Sequence, residues 1–326
     1  MDCSIRGSGT RKGARTVSET RKPTVQDPAP QASTPEESAP PSSLGRRLRF
    51  RDLPLQLIIG GSFVLLVLLV AAVSLIWTPY DIQVTQVQDR LLPPGTEGYL
   101  FGTDRLGRDV LTQIMAGARN SLLVSTVTTF GALIPGVLIG LMAAGSTQKW
   151  QLFWARVADI GIALPGILIA LVLAVAIGPG NRAAIIAILF WFTPIVIRVT
   201  LGPSRAILAR DFVEAAFAYG RKRWYILLRH VLPNIAPLMI VQASVMFSAA
   251  ILIEASLAFL GVGAQRPTPS WGRLLNEAQP LLDAAPTLML FPGLAIVIAV
   301  LGFNLLGDGL RAILDPQQAN RIGRGL

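Results

Sequence analysis

From Leu55 to Trp77 the chain carries no charged side chain. About 20 predominantly apolar residues wound as an α-helix cross the hydrocarbon core of a bilayer, so this one stretch already removes most soluble folds. Five further apolar spans follow, at about 122–144, 160–177, 183–203, 235–260 and 287–306. Sixteen of the 48 charged residues lie in Met1–Asp52, which leaves 32 for the remaining 274 residues. A soluble globule of that size could not cover its surface so thinly. The sequence predicts an all-α membrane protein with six transmembrane helices in a lipid bilayer.

Several chemistries drop out on residue counts. Cys3 is the only cysteine and His230 the only histidine. No intrachain disulfide, Cys cluster or His-rich metal site can be built from them. The phosphate-loop pattern G-x-x-x-x-G-K-[ST] is absent, so the chain does not hydrolyse ATP by that route. The spans hold no carboxylate pair for an intramembrane enzyme, and no catalytic residue is assigned. The net charge of +10 fits basic residues held on the cytoplasmic side of a membrane, with no nucleic acid partner.

Residues 1–45, rich in Pro, Ser, Thr, Gln and charge, cannot bury enough apolar surface to offset their ordering entropy and read as a disordered cytoplasmic tail. The first helix (about 55–77) and an outside segment then occupy 46–116, the membrane core 117–308, and a short cytoplasmic tail 309–326. Orientation follows from arginine and lysine. With Arg46, Arg47, Arg49 and Arg51 inside beside span one, fifteen basic residues fall on inside loops and seven outside, which places both termini in the cytoplasm. Pro135, Pro165, Pro194, Pro237 and Pro292 fall in or at the ends of spans, where a bundle tolerates kinks.

The inside loop between spans four and five is the most informative. Phe212–Tyr219 suits a short helix, with Ala215, Ala216 and Ala218 allowing close approach by another surface. Gly220 suits a left-handed cap, and Trp224–Val231 forms a second amphipathic stretch leading to Pro233, a good first-turn residue for span five. Two short helices joined at a glycine make a knob with no catalytic constellation, whose natural use is docking into another protein. From the residues alone, an interfacial loop whose basic run only fixes topology remains equally open.

Glu214-Ala215-Ala216, Gly220 and Leu232-Pro233 have the spacing of the EAA loop, and the chain resembles the ABC importer permeases. Three further segments narrow that resemblance: Phe101–Asp109 continuing through Gly117–Ser121, Leu260–Gly272, and Phe291–Arg311 followed by Asp315-Pro316. With the Arg229–Asn234 run, they are similar to the C-type subunit of the oligopeptide/dipeptide permease family over about Leu44–Pro316. The resemblance implies a type I ABC importer transmembrane domain. It implies a homologous second permease, two ABC ATPases holding ATP and Mg, an extracytoplasmic substrate-binding protein and no cofactor in this chain. It also implies that Glu214, Ala215, Ala216, Gly220, Leu232 and Pro233 couple to the ATPase. Di- and oligopeptides are the implied cargo in a prokaryotic cell membrane; nickel chelates, glutathione and haem are carried by similar importers.

Of the charged residues before span two, Asp104, Arg105, Arg108 and Asp109 read as a self-paired structural cap. Pro267–Gly272 reads as a rigid turn suited to pack on the bundle or to seat a binding protein, and Asp308 with Arg311 as a helical i,i+3 pair. Glu254 stands apart, because a carboxylate in a span tends to face a cavity or a partner. A role in the pathway or at a subunit interface and a hydrated place near the outer surface are both open for it. An ion-coupled secondary transporter would need more intramembrane charge and internal repeats.

Overall fold

The structure, a computed structural model, describes residues 54–314. The expected tail over 1–45, the basic residues beside span one, and the segment after Leu314 lie outside the described residues. Among the described residues ten α-helices and no strands occur, with only isolated bridges such as Thr103 to Asp109.

In chain order the helices are α1 (Leu55–Ile76), α2 (Val110–Ala144), α3 (Gln148–Ala163), α4 (Gly166–Ile177) and α5 (Asn181–Leu208). Then come α6 (Asp211–Ala218), α7 (Arg223–Ile226), α8 (Leu232–Phe259), α9 (Trp271–Ala278) and α10 (Thr287–Leu314). Five helices are long and apolar enough to cross a membrane: α1, α2, α5, the run Arg223–Phe259 and α10. The pair α3 and α4 bends by 79° and makes a sixth crossing if taken as one span. Successive spans alternate in direction, so α2 and α5 lie parallel while α1 and α10 lie antiparallel, and α6 sits at one end of the bundle (the knob end) and α9 at the other (the cap end).

Small residues let the helices close on one another, which in lipid does much of the work that hydrophobic burial does in water. On α2, a Cβ at Gly136 would stand 2.6 Å from Val196 and one at Gly140 2.7 Å from Thr200. Two glycines one turn apart thus admit two residues of α5 one turn apart. Around this seam Val124, Ala132, Ala187, Ile188, Val196 and Ala250 form one buried cluster. A second joins α1, α2, α8, α9 and α10 around Phe247, stacked on Phe303 at 4.1 Å.

Four boundaries differ from the sequence reading. Helix α2 begins at Val110, not near 122, because the Asp109 carboxylate accepts from the Thr112 amide at 2.7 Å and caps it; Gly117–Ser121 is therefore helix rather than loop. The third span breaks inside its expected range, at Leu164-Pro165, because Pro165 has no N–H for the preceding turn and α4 starts afresh behind it. Span four continues to Leu208, so Arg198 lies well within it rather than near its end. The amphipathic stretch before Pro233 is no separate helix: α7 passes through a π-helical turn, Leu227–Val231, directly into α8. Asp308 and Arg311 both lie on α10 but are exposed and form no ion pair, as a pair of such low intrinsic strength permits.

Candidate functional site

The knob is built on α6. Asp211 and Glu214 occupy its first turn, where negative charge suits the helix dipole. Its far end is closed by two hydrogen bonds, the Gly220 amide to the Phe217 carbonyl at 2.9 Å and the Arg221 amide to the Ala216 carbonyl at 3.2 Å. Gly220 takes φ 74°. This is a Schellman cap, whose left-handed residue carries little cost only when it lacks a Cβ.

One side chain roots the knob. Val213 is fully buried with Leu141, Ile207, Ile226, Leu227, Val231 and Ile235, so α6 is tied to α2, α5 and the start of α8. Ala216 packs at the edge of the same cluster, and the rest of α6 faces away. Glu214, Ala215 and Gly220 are exposed, Ala216 is half-buried, and Leu232 and Pro233 begin α8 just below, half-buried and exposed. Around them stand Phe212, Phe217, Trp224 and Tyr225, each more than 40% exposed, and Tyr219 at 86%. The His230 ring lies edge-on between Phe212 and Tyr225, with centroids at 6.2 and 5.9 Å, and the Arg221 guanidinium sits over Tyr225 at 5.1 Å. The structure therefore brings the six expected coupling residues into one neighbourhood, a rooted protrusion with an aromatic rim. Exposed aromatic density of this kind suits contact with another protein or with the membrane surface.

Glu254 is elsewhere. It lies on α8 near the cap end and is only 1% exposed. One carboxylate oxygen accepts from the Ser121 hydroxyl of α2 at 2.9 Å; the other has no partner. In this conformation it faces α2 from inside the chain and not the outer surface. Nearby, Trp271 donates its indole N–H to the Ile114 carbonyl at 3.0 Å, and Gly272 sits so close that a Cβ would fall into the Ala255 backbone. The Pro267–Gly272 turn is thus packed onto the bundle.

The charges before α2 do pair, and with more than each other. Arg108 meets Asp104 at 2.6 Å and also reaches Glu277 of α9 at 2.8 Å. Glu277 further receives Arg273 at 2.7 Å and Arg266 at 3.0 Å. Burial alone would raise the Glu277 carboxyl, but the three guanidinium groups outweigh it and hold it below the ordinary carboxylate value. Asp109 caps α2 instead of meeting an arginine. The sequence reading missed Glu277 as the hub. Its i,i+4 spacing to Arg273 was a visible signal; its contact with Arg108, across 169 residues, was not.

Comparison with known proteins fits this geometry. Residues 136–320 match the family model described as "Binding-protein-dependent transport system inner membrane component". The chain is similar to the dipeptide transport system permease protein DppC of Alkalihalophilus pseudofirmus, 39% identical over 261 residues, 80% of this chain and 85% of that one. It is also similar to the di/tripeptide permease protein DppC of Pseudomonas aeruginosa, 39% identical over 269 residues, 80% of this chain and 88% of that one. The glutathione transport system permease protein GsiD of Salmonella typhimurium is 38% identical over 269 residues, covering 82% and 88%. Among solved structures, a chain of the inward-facing MetNI methionine ABC transporter superposes with a TM-score of 0.53 at 18% identity, covering 62% of this chain and 96% of that one. That likeness shows the type I importer fold. A helical bundle of five or six crossings, a rooted knob between its fourth and fifth spans, and a family match over more than half the chain agree: the chain belongs to the inner membrane components of binding-protein-dependent transport systems, the multi-pass permeases of ABC importers.

Proposed function

We propose that this chain forms half of the membrane pathway of an ATP-driven importer of di- and oligopeptides in a prokaryotic plasma membrane. A homologous second permease supplies the other half. Two cytoplasmic ATPases hold ATP and Mg, and an extracytoplasmic protein delivers the cargo. The knob around Glu214–Gly220 inserts into an ATPase cleft, and its movement shifts the bundle between inward- and outward-open states. The permease thus contributes different stabilities of two conformations and no covalent chemistry.

The observation that carries this reading is the knob itself. Its aromatic rim is exposed although Val213 anchors it in the core, an arrangement suited to pushing and being pushed. Peptide cargo is supported by the printed roles of the dipeptide, di/tripeptide and glutathione permeases above. Glu254 ties α2 to α8 in the described conformation; a part in the pathway or at a subunit interface requires those helices to separate.

The test is reconstitution. In vesicles, the complete set of subunits with ATP is expected to accumulate labelled dialanine, and this chain alone neither to hydrolyse ATP nor to take up peptide. Uptake by the lone chain driven by a proton gradient would make it a secondary transporter. Orientation has its own check. Reporters fused after Ser18 and after Gln317 are expected to read cytoplasmic, and one near Gly95 extracytoplasmic, which places the knob end inside.

A further inference from the structure

A second charged feature lies within the membrane. Asp159 of α3 and Arg198 of α5 form a single ion pair at 3.4 Å, with 42% and 53% of their side chains exposed. Helix α5 is a spanning helix, and α3 with α4 makes a span when the bent pair is taken as one. Arg198 lies ten residues before the end of α5, roughly 15 Å from the knob end along a helix about 40 Å long. Charges at that depth do not face lipid; they face protein or water.

The backbone beside the pair points the same way. The chain breaks by 79° at Leu164-Pro165, a few residues beyond Asp159. Pro165 offers no N–H, which leaves the Gly161 carbonyl without its helical donor. Non-helical backbone at membrane depth is tolerated where it is buried in protein or lines a water-filled cavity. Within this chain it is not buried: Ala163, Leu164 and Pro165 are all exposed, and α4 buries only Ala170. Meanwhile the seam behind the pair is tight, since a Cβ at Gly161 would stand 2.5 Å from Pro194. Pro194 is one turn from Arg198. The two charges are therefore held in fixed relation by packed backbone while their heads remain open.

We propose that Asp159 and Arg198 line the path and bind short zwitterionic peptides, the α-ammonium on Asp159 and the carboxylate on Arg198. This rests on the reading of the chain as half of a peptide pathway. An ion pair with one bond between half-exposed groups is weakly held in water, so cargo bearing both charges can replace it at little cost. A dipeptide spans about 7 Å between its ends, and the pair opens by a rotamer change to admit it. Glu254 and the Glu277 hub do not meet this description, being buried and committed to other elements.

The experiment uses the complete importer in vesicles, with this chain carrying Cys3→Ser and Ala163→Cys. Ala163 is exposed one turn beyond Asp159 and on the same face. The introduced thiol is expected to react with a membrane-impermeant thiosulfonate, and millimolar dialanine to slow that reaction at least threefold. Separately, Asp159→Asn and Arg198→Gln are each expected to lower dialanine uptake at least tenfold, with co-purification of all subunits unchanged. No labelling, labelling that dialanine does not slow, or variants transporting at the wild-type rate would each overturn the assignment. Variants that shed subunits would do so too, by making the pair an assembly contact. A wild-type importer that takes up no dialanine removes the peptide reading, and this inference with it.

Discussion

Gly220→Val is expected to abolish peptide uptake, by at least a hundredfold, while the protein reaches the membrane at wild-type levels. The two halves of that expectation have separate causes. Gly220 takes φ 74°, and a β-branched residue held there costs about 1–3 kcal/mol. An eight-residue helix anchored by one buried valine has little with which to resist that cost, so the Schellman turn opens and the aromatic rim loses its arrangement. Nothing lies within 4 Å of where a Gly220 Cβ would be, so no clash spreads into the bundle and the spans insert normally. Glu214→Ala, which removes an exposed first-turn charge worth about 0.3–1 kcal/mol, is expected to reduce uptake only severalfold. Co-purification of ATPase at matched expression is the measurement. A Gly220→Val permease that keeps its ATPases and transports at the wild-type rate would return the knob to a plain interfacial connector.

The other large effect belongs to the cap end. Glu277→Gln is expected to destabilise the protein by about 3 kcal/mol, because removing one partner of a buried charge cluster leaves the others uncompensated. Arg108 and Arg273 carry most of that cost, each with a side chain 10% exposed; Arg266, at 47%, is solvated and contributes little. Thermal unfolding in detergent reads it directly. The same hub sets a pH dependence. Since its guanidinium partners hold the folded Glu277 carboxyl below the ordinary value of 4.5, its stabilisation is complete above that pH and is lost as pH falls through the lower folded value. Wild-type stability is expected to decline on acidification below about pH 4.5, and that part of the decline to be absent in Glu277→Gln. An unchanged melting temperature in the variant would mean the hub is spectator to folding.

The apolar spans were legible because a bilayer demands length and apolarity, and α1 follows its charge-free stretch to within a residue. The Gly220 turn was legible too, since few residue types suit a left-handed cap. What escaped the sequence were pairings that only packing creates. Arg119 and Asn120 made the first turns of α2 look like loop, although Asp109 caps them into helix. Pro165 was visible as a kink, but the 79° turn of the chain there was not. Asp159 carried no local signal at all, because its partner Arg198 lies on another helix. For the site, the six residues expected to couple were readable as a spaced pattern, whereas the aromatic rim around them came into view only when Phe212, Tyr225 and His230 met in space.

The uninterrupted run from Arg223 to Phe259 behaves mechanically as a rod. Its first turns sit beside the knob, and Glu254 rides roughly 45 Å further along. A tilt of about 5° at the lower end swings that upper end by about 4 Å, more than the length of the hydrogen bond between Glu254 and Ser121 at 2.9 Å. The π-helical turn near its base and Pro237 just above it, which offers no N–H, both interrupt the regular ladder of bonds, and make this lower stretch the natural fulcrum. If the knob is driven as proposed, a small stroke at one face of the membrane would arrive at the other enlarged, without any messenger residues in between.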